Sequence, residues 1–532
     1  MKAIWKKSAV IALAGLLVLS VAGCGGNNKK ADGGKEAGPK DVLKIGASNF
    51  AGSLEPAGGY HSWQVVRYGV GETLVKFDKR MNVTPWLAES WKISGNRLTW
   101  TFRINDKAMF SNGNKVTGDA AAKSLLRTLE KSPRAKRMLR VASIKGEGQN
   151  VLIRTERPVP TLPCLLGNPL FLIVDASVTD RDYEKMGPIG TGPYVVKSFT
   201  REKCVLERNE KYWNGKAFYR KLDIYAMDES KNRAMALKKG EIDVASDISS
   251  GDLALFKDAK NFRISEIASV RSVLARLTVK EGRPLSDKRV REALASALDR
   301  QAYCKVLLKD TFTSGGPMLP PSVNYGFNEL IKSDKNQYNV GRARKLLADA
   351  GWKDTNGDGF VDKNGKNLEL DCYFCSNRAE LPLFAEATRS DARRVGIKIN
   401  LKNVDYTEID KIGREGSGDL CITNILTVQG NPEVFMNMYV KTNENNSNPG
   451  NGGGFSNAGF DELSDRLAVE FDPAKRRELI IGMEIIALEE LPLIVYGYPR
   501  TNIVSKAEIA NADIHPCDYY WETKDWKPAA IQ

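Results

Sequence analysis

Two histidines, His61 and His515, are all the imidazole that 532 residues offer to a transition metal. A site built from protein donors alone draws on several His, Cys or carboxylate groups, so any transition metal bound by this chain has to arrive with donors of its own. His61 sits beside Tyr60 and Trp63, just before Arg67; there it either supplies one donor to such a metal or packs as an ordinary side chain. Arg67 and Arg378 carry the planar fork that grips a carboxylate through two hydrogen bonds, and the alternative for each is an ion pair with a neighbouring acid. Cys372 and Cys375 form a single CxxC, and in an extended segment they point to opposite faces, which argues against zinc. Asp354, Asn356, Asp358, Gly359 and Asp362 reproduce the start of a calcium loop, but Gly365 stands where the bidentate Glu belongs, and a turn between helix and strand is the plainer reading. Tyr60, Trp63, Phe110, Tyr439, Tyr496 and Tyr498 offer flat faces that could line a cleft. No GxSxG, SxxK, HExxH or GxxxxGK[ST] occurs, and two histidines leave little scope for general-base chemistry, so we expect neither an enzyme nor a resident cofactor.

The elements that must position these residues alternate as in α/β chains. A first strand is expected at Val42 to Ser48, then a helix from Trp63 to Leu74 bearing Arg67. Leu98 to Ile104 alternates bulky and polar residues as a half-buried strand does, Phe110-Ser-Asn-Gly113 turns, and Thr117 can cap a helix to about residue 131. Gly190-Thr-Gly-Pro-Tyr194 leads into a hairpin ending at Arg208. Ser230 opens a short helix closed by Gly240, and Ser286 caps a longer one with apolar residues at helical spacing. Further helices are expected over Asn339 to Ala350 and Leu381 to Val395, with strands at Glu369 to Phe374, Lys398 to Val404 and Leu420 to Leu426. A helix from Ala474 to Glu490 precedes an apolar strand, Leu493 to Tyr496, after which the tail has little periodicity.

The N-terminus sets the compartment. Lys2, Lys6 and Lys7 precede fifteen largely apolar residues, Ala9 to Gly23, which end at Val21-Ala22-Gly23-Cys24. Fifteen such residues are too few to cross about 30 Å of hydrocarbon, so residues 1–23 read as a signal peptide. Small residues before a cysteine resemble the lipobox of bacterial lipoproteins, which implies an acylated Cys24 and a flexible tether over 24–40; the alternative is an ordinary cleaved leader. The chain carries a formal net charge of +14, of which the three leader lysines account for three. Its basic residues are scattered, without the dense stripe of a nucleic-acid binder. Eight cysteines, one of them Cys24, leave an odd number whose spacing suggests no disulfide framework.

Eight blocks in order resemble the extracellular solute-binding proteins of ABC importers, family 5, which bind oligopeptides, dipeptides or nickel. They are PWLAESW (85–91), LTWTFRI with its FSNG turn, GTGPY, RNEKYWNG (208–215), RAMALKKGEIDV (233–244), VREALASALD (290–299), residues 343–352 and GFSNAGFD (454–461). The resemblance implies the type II, cluster C periplasmic-binding fold: two lobes joined by strands that cross twice, a ligand cleft between them and an extra subdomain in the first lobe. Lobe I is then expected over 41–84, 186–275 and 496–532, its inserted subdomain over 85–185, and lobe II over 276–495. Arg67-Tyr-Gly-Val-Gly-Glu-Thr-Leu74, Asn168 to Asp175 and Arg378-Ala-Glu-Leu-Pro-Leu383 are most similar to members that handle nickel or metallophores. Peptide-binding members place an acid before a proline after the Leu420 strand; here the stretch reads Val428-Gln-Gly-Asn-Pro432, with none. Nor is there an arginine near Pro169, where some nickel-binding members have one. Asn424, Gln429 and Asn431 become candidate ligand contacts. The expected partners are an ABC permease and its ATPase, the membrane through the lipid anchor, and a small metal chelate or a peptide, with the protein working as an extracytoplasmic monomer.

Overall fold

The strand Leu493–Lys506 is buried over almost its whole length because it lies at the centre of a twelve-stranded sheet. In this computed structural model, which describes residues 41–323, 325–427, 431–446 and 448–530, that strand crosses from one half of the sheet to the other. Its first half pairs antiparallel with Arg271–Leu277, in the register Arg276 to Leu493. Its second half pairs with Phe262–Ala268, from Ala268 opposite Arg500 to Phe262 opposite Lys506, and with Val244–Ser246. The chain therefore passes between the halves twice, once along 262–277 and once along 493–506. The apolar run recognised at Leu493 to Tyr496 is only the first third of this strand; Pro499 and the polar Arg500-Thr-Asn502 break the sequence pattern but not the ladder.

On one side, Val42–Ala47 runs parallel between Lys221–Ala226 and Val244–Ser246, followed outward by the hairpin Lys203–Arg208 and Tyr194–Phe199. On the other side, Glu369–Phe374 lies parallel to both Lys398–Asn403 and Leu420–Leu426, with helices Lys288–Ala297 and Glu380–Arg393 sharing its core. A separate four-stranded antiparallel sheet, Ala88–Ile93, Thr99–Ile104, Asn150–Thr155 and Val141–Glu147, packs its own core against helix Gly118–Lys131. Mixed α/β layers with these crossings are the type II periplasmic-binding architecture.

Local chemistry explains most element ends. Thr117 caps its helix by accepting from Ala120 N at 3.2 Å, and Asn339 does the same from Arg342 N at 2.8 Å. Gly240 closes the helix Ser230–Lys239 at φ 77°, as the sequence indicates. One cap differs: Asp287, not Ser286, accepts from Arg289 N, while the Ser286 hydroxyl donates back to Arg283 O. Ser230 opens its helix as expected, with its hydroxyl donating to Asp252. The helix expected from Trp63 to Leu74 is shorter, His61–Arg67, because Gly69 turns the chain at φ 73°. The GTGPY segment lies against that turn: a Cβ on Gly190 would stand 2.1 Å from Val70 O, and one on Gly192 2.2 Å from Gly69 O.

The tail after Lys506 is not an appendage. Cys517, Tyr519, Tyr520, Trp521 and Trp526 are buried in the first core with Val65, Val66 and Tyr68. Elsewhere Glu484, fully buried on helix Pro473–Glu490, accepts from Met318 N and Leu319 N at 2.8 and 3.0 Å, and burial without a counter-charge pushes its carboxyl up to about 8. Among the described residues no helix is long and apolar enough to cross a membrane.

Candidate functional site

The segment after Lys506 delivers Asp518 to a meeting point of three arginines. Arg67, the last residue of its helix, donates from Nε to the Asp518 backbone oxygen at 2.7 Å, and its Nη2 lies 3.9 Å from Oδ1. Arg271, where the first crossing enters its second strand, donates from Nη2 to Oδ2 at 3.2 Å. Burial pushes the Asp518 carboxyl up, yet Arg271, Arg67 and then Arg378 outweigh it and hold the group below the usual carboxylate range. Arg378 lies in the loop between Glu369–Phe374 and Glu380–Arg393. The like charge of Arg271, then burial, lowers its pKa against the pull of Glu380, Asp247 and Asp518. Among the described residues its guanidinium makes no hydrogen bond or ion pair.

A fourth arginine, which no sequence pattern marked, completes the cationic set. Arg134 lies 4.2 Å over the ring of Tyr60, with Nε and Nη2 buried and unpartnered. Tyr60 is 60 % exposed and meets Trp63 edge-on at 5.2 Å; Trp63 meets Tyr519, next to Asp518, at 5.7 Å, and its own Nε1 is buried without a partner. Across from Tyr60 stands Tyr406, 66 % exposed, at the start of helix Tyr406–Glu415; partial desolvation and then the phenol of Tyr60 push its pKa up. Arg276 sits 5.8 Å from the ring of Tyr439 nearby. Asn424 donates from Nδ2 to Glu380 Oε1 at 2.9 Å, which leaves its Oδ1 buried and unpaired. A path of cationic and aromatic side chains thus runs from Arg134 through Tyr60, Trp63 and Asp518 to Arg378 and Tyr406. Buried guanidinium nitrogens without partners are costly, and a ligand bearing carboxylates would satisfy them.

His61 is half-buried beside this path; burial lowers its pKa and Glu184 opposes that. Among the described residues no group of three or more His, Cys, Asp or Glu side chains is placed to hold a metal ion. His515 lies elsewhere, buried on Tyr520 at 4.9 Å, accepting from Cys517 N through Nδ1 at 3.0 Å and pushed down to about 4 mainly by burial.

Several candidates have other work. Phe110 is buried in the core of the four-stranded sheet, because the turn that follows Thr99–Ile104, closed by Phe110 N to Asn114 O at 2.8 Å, folds its ring inward. Tyr496 and Tyr498 are fully buried on the crossing strand, Tyr496 accepting from Thr388 Oγ1 at 2.8 Å and Tyr498 bonded to Pro317 O and Gly316 N. Asn431 is buried and caps helix Pro432–Tyr439 through Glu433 N at 3.1 Å. Cys372 and Cys375 are buried free thiols. In the Asp354 to Asp362 loop, Asp354 accepts from Gly357 N and Gly359 N, Asp358 from Phe360 N and Asp362 from Thr355 N, so the carboxylates close the turn itself. Gln429 and Cys24 lie outside the described residues.

Residues 82–447 match the bacterial extracellular solute-binding proteins, family 5. The chain belongs to that family. The nickel-binding protein NikA of Staphylococcus aureus is 24% identical over 506 residues, 94% of this chain and 96% of that one. The oligopeptide-binding protein AppA of Bacillus subtilis is 25% identical, covering 76% of this chain and 78% of its own. Among solved structures, NikA of Brucella suis in complex with Fe(III)-EDTA superposes with a TM-score of 0.82 at 22% identity, covering 92% of this chain and all of that one. The protein is thus a solute-binding protein of a family that works outside the cytoplasm.

Proposed function

We propose that the protein captures a transition metal, nickel foremost, already held by a small carboxylate-bearing chelator, and delivers it to an ABC permease and its ATPase from a lipid anchor at Cys24. The observation that carries this reading is the pairing of two guanidinium groups that make no ion pair among the described residues, Arg134 and Arg378, with an aromatic surface and no multidentate metal site among those residues. Carboxylates of the chelate take the arginines, the flat faces of Tyr60, Trp63 and Tyr406 take its body, and His61 adds at most one donor to the metal. Arg67 stands one step back, joined through Asp518. Lobe I comprises 41–84, 186–275 and 496–532 with its insert 85–185, lobe II comprises 276–495, and ligand bridging both favours the closed state. The bound complex NikA forms with Fe(III)-EDTA is of the same chemical kind.

A peptide ligand is the second reading, favoured by the likeness to AppA. Calorimetry with metal alone, metal plus histidine, and a dipeptide panel separates them. Chelated nickel binds tightly, and the bare ion and dipeptides bind poorly; tight dipeptide binding with no response to chelated metal would overturn the assignment. For the anchor, Cys24→Ala releases the protein from the membrane fraction, and equal retention of the mutant refutes it.

A further inference from the structure

Arg67 also faces away from the cleft. Helix His61–Arg67 ends against the C-terminal segment, and between them lies a cavity of about 180 Å³, lined by Arg67, Glu72, Lys76, Trp86, Trp521 and Thr523 among others. Arg67 is only 4 % exposed, yet among the described residues Nε alone donates a hydrogen bond, to Asp518 O at 2.7 Å. Its Nη2 is 3.9 Å from Asp518 Oδ1, beyond hydrogen-bond reach, and Cζ stands 5.5 Å from the ring of Trp521. Glu72 in the cavity wall is engaged elsewhere: it accepts from the Tyr212 hydroxyl at 2.5 Å and from Trp213 Nε1 at 2.9 Å. Lys76 is taken by Glu522 at 2.8 Å. Thr523 Oγ1, buried in the same wall, has no hydrogen-bond partner. The cavity therefore combines the terminal nitrogens of a nearly buried arginine, held only by a long 3.9 Å ion pair, with an unpartnered hydroxyl and two indole walls. Among the described residues no hydrogen bond reaches the terminal nitrogens of Arg67, and Asp518 Oδ1 stands 3.9 Å away.

We propose that this cavity is a second ligand site, separate from the cleft, that takes a small monocarboxylate with a flat or apolar body. The carboxylate accepts from the Nη atoms of Arg67 and from Thr523 Oγ1, while Trp86 and Trp521 cover the body. A dry cavity of about 150 Å³ is known to hold benzene, so an acid near the size of benzoate marks the upper end. Because Asp518 is shared by Arg67 and Arg271, an anion on Arg67 alters the charge that Asp518 presents to the cleft.

The test titrates the full-length protein with benzoate, and with benzamide as the uncharged isostere, by calorimetry and tryptophan fluorescence. Benzoate is expected to bind saturably and benzamide at least about tenfold more weakly. Arg67→Lys, which keeps the charge and loses the fork, and Thr523→Val, which removes only the hydroxyl, each weaken benzoate by about tenfold; Arg378→Ala, in the cleft, leaves it within about twofold. Equal binding of benzamide, absence of saturable benzoate binding, or loss with Arg378→Ala but not with Thr523→Val overturns the proposal. Thr523→Val decides the matter if the Arg67 variant does not fold. Nickel–histidine titrated into the same proteins reports on the cleft separately, so one reading can fail without the other.

Discussion

The loop Asp354 to Asp362 and the cluster around Asp518 both concentrate charge, and they differ in what is left unsatisfied. In the loop each carboxylate accepts from backbone amides two to seven residues away, so the acids are consumed in making a turn. In the cluster Arg67 and Arg271 share the Asp518 carboxylate, Arg378 stands in its field without an ion pair, and nitrogens of Arg134 are buried without partners. Residue type alone would rank the acidic loop as the better binding site. The hydrogen-bond ledger ranks it last, because a ligand adds nothing to groups already paired, whereas it relieves groups that are not.

The comparison is most sharply tested at Asp518. Asp518→Ala leaves Arg67 and Arg271 facing each other without an anion, and breaking a buried pair in this way is expected to cost about 3–5 kcal/mol. Chemical denaturation measures it; a variant of unchanged stability would mean the cluster is held by something else. Arg378→Ala is the converse. Binding of the nickel–histidine chelate falls by about 2–5 kcal/mol in calorimetry, while the melting temperature stays or rises, since the repulsion with Arg271 is removed. A destabilised variant with intact affinity would move Arg378 from the cleft to the scaffold.

A pH effect separates buried acids that hold a proton from those that do not. The carboxyl of Glu484 is raised from 4.5 to about 8 by burial, so the folded state binds its proton more tightly than the unfolded chain. Its contribution to stability is greatest below the ordinary carboxylate range and declines as pH rises through 4.5 toward 8, by up to about 1.4 kcal/mol per pH unit for one proton. Glu72, raised to about 7 by burial, acts in the same direction, whereas His515, lowered to about 4, acts oppositely between pH 4 and 6.5. Denaturation profiles of Glu484→Gln should be flatter above pH 5 than those of the wild type; parallel profiles would show that Glu484 is ionised when folded. Least of all, adding calcium should leave the melting temperature unmoved, in wild type and in Asp354→Asn alike. A calcium-dependent rise lost in the variant would reverse the ranking of the two regions.

What could be read from sequence follows the range of the forces. Thr117 and Gly240 act within a few residues, so their caps were visible. Arg67 was visible too, from its neighbourhood, but its partner is 451 residues away. Asp518, Arg271 and Arg134 carry no local pattern; they matter only because strands crossing between the halves and a packed tail bring them together. Phe110 and Tyr496 failed for the complementary reason, since an aromatic residue has the same sequence appearance whether it lines a cleft or fills a core.

The double crossing has one more consequence. Residues 278–491 leave and rejoin the body at neighbouring rungs, with Arg276 opposite Leu493 and Leu277 N donating to Pro492 O at 3.2 Å. The two ends of that whole segment are close enough for a tight turn to bridge. In construction terms it is a long insertion between two adjacent rungs that the body has grown around, since Met318, Phe327, Phe435 and Met483 within it are buried in the same core as Leu43 and Tyr68.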